Sequence, residues 1–153
     1  MDRLPTERAP AVWAALLDAH ASVVDAVEQR LMAEADLPLP WHEVLVRVSR
    51  AGEDLMRMRE LARSVLLSKS GLTRLADRME QAGMIERRAC PSDRRGVFIG
   101  ITDRGREALD RAAPVFLAAV QEHLIDRLSR QELDSLVALL ERLRHPVLVE
   151  TTR

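Results

Sequence analysis

Two clusters of residues in this chain have the types and spacing for recognition chemistry. Ser68, Lys69, Ser70, Thr73, Arg74 and Arg78 come first, and Asp93, Arg94 and Arg95 follow shortly after. An arginine can donate two hydrogen bonds to a guanine edge, and a Ser or Thr hydroxyl can serve a base edge or a phosphate. A helix N-terminus favours a phosphate, and an arginine at a hairpin tip can enter a narrow minor groove. This is chemistry for holding duplex DNA rather than for bond making. Each of these side chains could instead be merely solvated, or tied up in an intrahelical ion pair such as Asp77 with Arg74 or Arg78.

These residues need a helix and a hairpin to position them. From Ser68, a good N-cap, to Gly83, a good helix terminator, the spacing predicts a helix. Leu72, Leu75, Met79 and Ala82 fall on its inner side, and Ser70, Thr73, Arg74, Asp77, Arg78 and Gln81 on its outer side. Two strands are expected next, Met84 to Cys90 and Val97 to Thr102, with Val97, Ile99 and Ile101 on one face. Pro91, Ser92, Asp93 and Gly96 supply turn chemistry between them. Helix, hairpin and a new helix start together read as a winged helix-turn-helix.

The rest of the chain is expected to be helical. A first helix from roughly Pro10 to Ala33 carries Val12, Leu16, Ala19, Val23, Val27 and Leu31 as an apolar stripe. Leu37-Pro38-Leu39-Pro40 breaks it, and Pro40 suits the first turn of a second helix bearing Trp41, Val44, Leu45 and Val48. A short third helix, roughly Arg57 to Arg63, turns Met58, Leu61 and Ala62 inward, and Arg57 and Arg59 are candidates for phosphate contacts. Thr102 caps a fifth helix running to about Arg127, with Leu109, Phe116, Val120 and Leu124 as its stripe. Ser129-Arg-Gln-Glu132 is a capping box for a sixth. The first, fifth and sixth helices carry more apolar residues than one thin domain needs, which predicts packing against a second copy.

The fold class expected is therefore mostly α, with a small β-hairpin wing and N- and C-terminal dimerisation helices. At 153 residues the chain can bury one good core. A net charge of -1 is at first sight wrong for a DNA binder, but its distribution is uneven. From Arg57 to Arg104 there are 11 basic and 6 acidic residues, a local +5, and local potential governs docking on phosphates. One cysteine, Cys90, excludes an internal disulfide. No uninterrupted apolar run approaches 18 residues and no signal-peptide pattern opens the chain, so the expected location is the cytoplasm.

The order of these motifs resembles the MarR family of bacterial transcription regulators. LLSKSGLTRLADRMEQAGMIERR (Leu66 to Arg88) looks like its recognition helix and first wing strand, and PSDRRG (Pro91 to Gly96) is similar to its D-x-R wing tip. ITDRG (Ile101 to Gly105) resembles the T-x-x-G that opens its dimerisation helix, and LPLPWHEVLVRV (Leu37 to Val48) its second helix. The resemblance implies a single domain over residues 1–153. Its winged core would span about 37–104 and its dimerisation helices about 10–33 and 102–145. It implies a homodimer on a pseudo-palindromic operator, repressing transcription until an effector weakens DNA binding. By the same resemblance Arg95 enters the minor groove, Asp93 orients it or holds the wing by an ion pair, Arg94 touches a phosphate, and a ligand cleft lies between the dimer helices and the winged module. Trp13, Leu17, His20, Trp41, His42 and Phe116 are candidates to line that cleft, though plain core packing explains them as well. With no basic residue among them, a hydrophobic or weakly polar effector is expected.

Other signals point nowhere in particular. Cys90 could form a thiolate favoured by Arg87 and Arg88, but a small packed side chain is the simpler reading. His20, His42, His123 and His145 have no helical metal-site spacing, and no nucleophile elbow or phosphate loop is present, so neither an enzyme nor a cofactor or metal is expected. The alternative function is a helical protein-interaction module whose winged-helix fold does not bind DNA.

Overall fold

The computed structural model describes residues 6–65, 69–90 and 93–144. Among these residues nine regular elements follow one another: α1 (Ala9–Ala35), α2 (Leu39–Ser49), β1 (Leu55–Arg57), α3 (Met58–Ser64), α4 (Lys69–Gln81), β2 (Ile85–Cys90), β3 (Asp93–Ile101), α5 (Asp103–His123) and α6 (Arg130–Arg144). The helices match the expected order. The sheet does not stop at a hairpin, because β1 adds a third strand in the order β1-β3-β2, all antiparallel.

Each boundary has a local cause. Asp36 takes a left-handed conformation (φ 50°) and ends α1 before the prolines are reached. Glu28 of α1 accepts the Leu39 N–H at 2.6 Å, satisfying one of the orphan donors that begin α2. Gly83, at φ 71°, ends α4. Its N–H donates to Glu80 O at 2.9 Å while Met84 N–H reaches back to Met79 O at 2.9 Å, so α4 closes in a Schellman motif. The capping box of α6 forms as expected, with Ser129 N–H donating to Glu132 Oε2 at 2.8 Å.

The core lies where α1, α2, α4, α5 and the sheet converge. Leu31, Leu45, Leu61, Met79 and Ile99 are fully buried there, each contributing about 1.5–3 kcal/mol from burial. The inner side of α4 is Leu72, Leu75, Ala76 and Met79. The buried face of α5 is not the large-residue stripe expected, which is only half-buried; it is Gly105, Ala108, Ala112 and Ala119. Small residues let α5 approach α1 closely. Nor does α5 reach Arg127, since it ends at His123 and a short 3-10 turn covers Ile125–Arg127.

The apolar stripe of α1 is used unevenly. Val27 and Leu31 are buried, but Val12, Trp13, Leu16 and Leu17 are exposed by 43–62%. In α6, Val137, Leu139, Leu140 and Leu143 are exposed as well. A window of α1 reaches a mean hydropathy of 1.2 with 6% of it buried, so by length and composition this helix is apolar enough to cross a membrane. Asp18 and Asp25 interrupt the run without lowering the average enough.

Candidate nucleic-acid interface

Helix α4 is amphipathic. Its buried side anchors it to the core, so Ser70, Thr73, Arg74, Arg78 and Gln81 stand exposed on one continuous side. Ser68 lies outside the described residues, as does the side chain of Lys69, whose backbone opens α4. Among the described residues neither Arg74 nor Arg78 takes part in an ion pair; the alternative pairing with Asp77 is not made.

Asp77 and Glu80 are instead held from the neighbouring strand. Arg87 of β2 donates from Nη2 to Asp77 Oδ1 and from Nη1 to Glu80 Oε2, both at 2.6 Å. Its backbone N–H donates to Glu80 Oε1 at 3.0 Å. Partial burial works against the Arg87 cation, but the hydrogen bonds and charges of Asp77 and Glu80 outweigh it and raise its pKa above the ordinary arginine value. Sequence reasoning missed this residue. The alternation of β2 places Arg87 on the side of Ile85, and that was the available signal.

The wing differs from the hairpin expected. Asp93 and Gly96 were expected in the turn, yet both lie within β3. Pairing runs regularly from Ile85↔Ile101 to Ala89↔Val97 and then jumps to Cys90↔Asp93. The segment Arg94–Gly96 is therefore bulged between two consecutive residues of β2. A bulge bends its strand and re-aims what it carries. Pro91 and Ser92, and the side chains of Cys90, Asp93, Arg94 and Arg95, lie outside the described residues. On the far edge, Arg57 of β1 lies 5.2 Å above the Phe98 ring, a cation–π arrangement, and Arg59 is exposed in the first turn of α3.

One side chain joins the interface to the long helix behind it. Thr102 Oγ1 donates to Gly83 O at 2.6 Å and accepts from Gly105 N at 3.0 Å. The end of α4 and the start of α5 are thus tied through a single hydroxyl. A second tie is the Arg106–Asp54 ion pair at 2.8 Å, from α5 to the turn before β1.

A cavity of about 500 Å³ opens between α2 and α5. His42 and Phe116, two of the six expected cleft residues, lie in its wall and stack with centroids 4.5 Å apart. Trp13, Leu17 and His20 stand exposed on α1, and Trp41 is half-buried outside that wall. The wall is more charged than expected, because Glu43, Arg47, Arg50 and Asp110 belong to it. Burial pushes the His42 imidazole below its ordinary 6.5, and the Arg50 charge acts in the same direction. His42 Nδ1 and Arg47 Nε are buried with no hydrogen-bond partner among the described residues. Pro114 has no N–H to offer the carbonyl of Asp110, so a backbone acceptor in the cavity wall loses its helical donor.

Comparison with known proteins places these features. Residues 35–96 match the model of the MarR family. AbsC, a MarR family transcriptional regulator from Streptomyces coelicolor, is 33% identical, with 94% of this chain and 96% of that one covered and a TM-score of 0.83. Sco3205, a MarR family transcriptional regulator from the same organism solved in complex with DNA, is 29% identical over 98% of this chain and 96% of its own, with a TM-score of 0.85. A mutant of MarR from E. coli, complexed with operator DNA, shares the fold at 22% identity and a TM-score of 0.80, covering 93% of this chain and 99% of that one.

Proposed function

The chain belongs to the MarR family of transcriptional regulators, and we propose that it acts in the cytoplasm as a homodimeric repressor that binds a pseudo-palindromic duplex. The observation that carries this reading is the exposed side of α4, where Arg74 and Arg78 stand clear of the neighbouring carboxylates. Ser68, Lys69, Ser70 and Thr73 complete that side at the helix start. Two such helices related by a two-fold axis would read half-sites about one helical turn apart, roughly 10 bp. Asp93, Arg94 and Arg95 serve the wing, with Arg95 in the minor groove and Arg94 on a phosphate. The exposed apolar residues of α1 and α6 are covered by the second copy, and catalysis plays no part.

The effector site in this reading is the cavity between α2 and α5. Phe116 would support an apolar body, and the unpartnered Nε of Arg47 would donate to a polar group on it. Trp13, Leu17, His20 and Trp41 lie where the cleft would extend toward the second copy. An effector acts only by its different affinity for the DNA-competent and incompetent states.

Selection from a random duplex pool, followed by gel-shift titration, tests the reading. The log of affinity should fall linearly with the log of salt concentration, by about 0.9 per phosphate neutralised. Arg95→Ala should weaken binding strongly while leaving the melting temperature in place. Selection of no duplex, or a flat salt dependence, would favour the protein-interaction module instead.

A further inference from the structure

We infer that Arg87 is a positioning residue for DNA recognition, which acts by sequestering the two carboxylates of α4 away from both the duplex and the reading arginines. The inference rests on the duplex-binding reading above. Helix α4 carries three basic residues, Lys69, Arg74 and Arg78, and two acidic ones, Asp77 and Glu80, a net of only +1. Asp77 lies three residues after Arg74, the spacing at which a helical ion pair forms. Left to itself, α4 would spend Arg74 on Asp77 and present Glu80 to an approaching phosphate.

The wing strand prevents both. Arg87 reaches Asp77 and Glu80 with separate nitrogens at 2.6 Å, and its backbone N–H takes the remaining Glu80 oxygen at 3.0 Å. With Arg87 counted, the α4 cluster rises from +1 to +2. Arg74 and Arg78 are the outcome of this arrangement, exposed and outside any ion pair among the described residues. The planar guanidinium matters, since its fixed fork presents separate nitrogens to the two carboxylates, whereas a lysine offers one compact ammonium. The same three bonds hold β2 against α4, so the wing and the reading helix approach a duplex as one body.

The probe is the duplex that the wild-type protein selects from a random pool, titrated by gel shift at several salt concentrations. Arg87→Met should weaken binding by roughly tenfold to a hundredfold, the range of one lost arginine contact. The salt slope should drop by about one per protomer. The triple variant Arg87→Met, Asp77→Asn, Glu80→Gln should recover binding to within a few-fold of wild type. Its melting temperature should stay as low as that of Arg87→Met, because removing carboxylates cannot restore the lost clamp. Should Arg87→Met fail to fold, Asp77→Asn with Glu80→Gln in the presence of Arg87 carries the test, and it should bind at least as tightly as wild type. Wild-type affinity for Arg87→Met overturns the inference. So does a triple variant as weak as the single one, which would make Arg87 a direct contact or a plain structural brace. Weakened binding by the Asp77→Asn, Glu80→Gln pair overturns it too. A wild-type chain that selects no duplex overturns the duplex-binding reading itself.

Discussion

Replacing Gly105 by Ala should destabilise the protein, although helix propensity alone predicts the opposite. Gly105 is buried in the first turn of α5, at a backbone conformation open to any residue. An alanine there would ordinarily gain about 1 kcal/mol over glycine. Its Cβ, however, would stand 2.1 Å from Met84 O, 3.1 Å from Met84 C and 3.0 Å from Ile101 Cγ1. The carbonyl would have to retreat by about 1 Å to restore a normal separation. It is not free to do so, because it accepts from Thr102 N–H at 3.2 Å while Met84 N–H closes α4 at 2.9 Å. Overpacking of this kind costs about 1–3 kcal/mol, and a weakened backbone hydrogen bond about 1 kcal/mol more. After the propensity gain, a net loss of roughly 1–3 kcal/mol remains, or about 2–12 °C in melting temperature for a chain of this size. Urea and thermal unfolding measure it directly. Gly52→Ala is the control, since nothing lies within 4 Å of its added methyl. Operator affinity should fall with the first change and not with the second, because the clash sits at the Thr102 joint behind α4. A Gly105→Ala variant as stable as wild type, or more so, would refute the reasoning.

Two further outcomes can be checked with the same methods. His42 has its pKa lowered in the folded state by burial and by Arg50, so the unfolded chain binds the proton more readily. Stability should therefore fall as pH drops below about 6.5 and level off once the lowered folded value is passed, and His42→Phe should remove this part of the urea midpoint's pH dependence. Ser129→Ala removes the capping-box hydroxyl that meets Glu132 at 2.7 Å and should cost about 1 kcal/mol in chemical denaturation, with operator binding unchanged at protein concentrations that keep the dimer together.

What the chain reveals before folding is unevenly distributed. The caps and terminators at Gly83, Thr102 and Ser129 were legible because each acts within a few residues of itself. The outer side of α4 was legible because helical periodicity separates it from Leu72, Leu75 and Met79. Strand β1 was not, since three residues are too few to alternate and its partner β3 lies some forty residues on. The small buried face of α5 was hidden because apolar weight draws attention to Leu109 and Phe116 rather than to Ala108 and Ala112. The wing bulge depends on which residue of β3 meets Cys90, a matter of register that composition leaves open. The charge on the cavity wall was missed for a related reason: Arg47 and Arg50 reach it from α2 beside Asp110 of α5, a juxtaposition made only by packing.

The longest helix has a consequence for regulation. The N-terminal half of α1 offers apolar side chains that nothing among the described residues covers. If a second copy covers that face, as proposed, pairing would add to the burial that holds the fold, and stability would follow the number of copies present. In that reading the two DNA-gripping surfaces would come together only as copies pair, and the supply of chain would itself set their number.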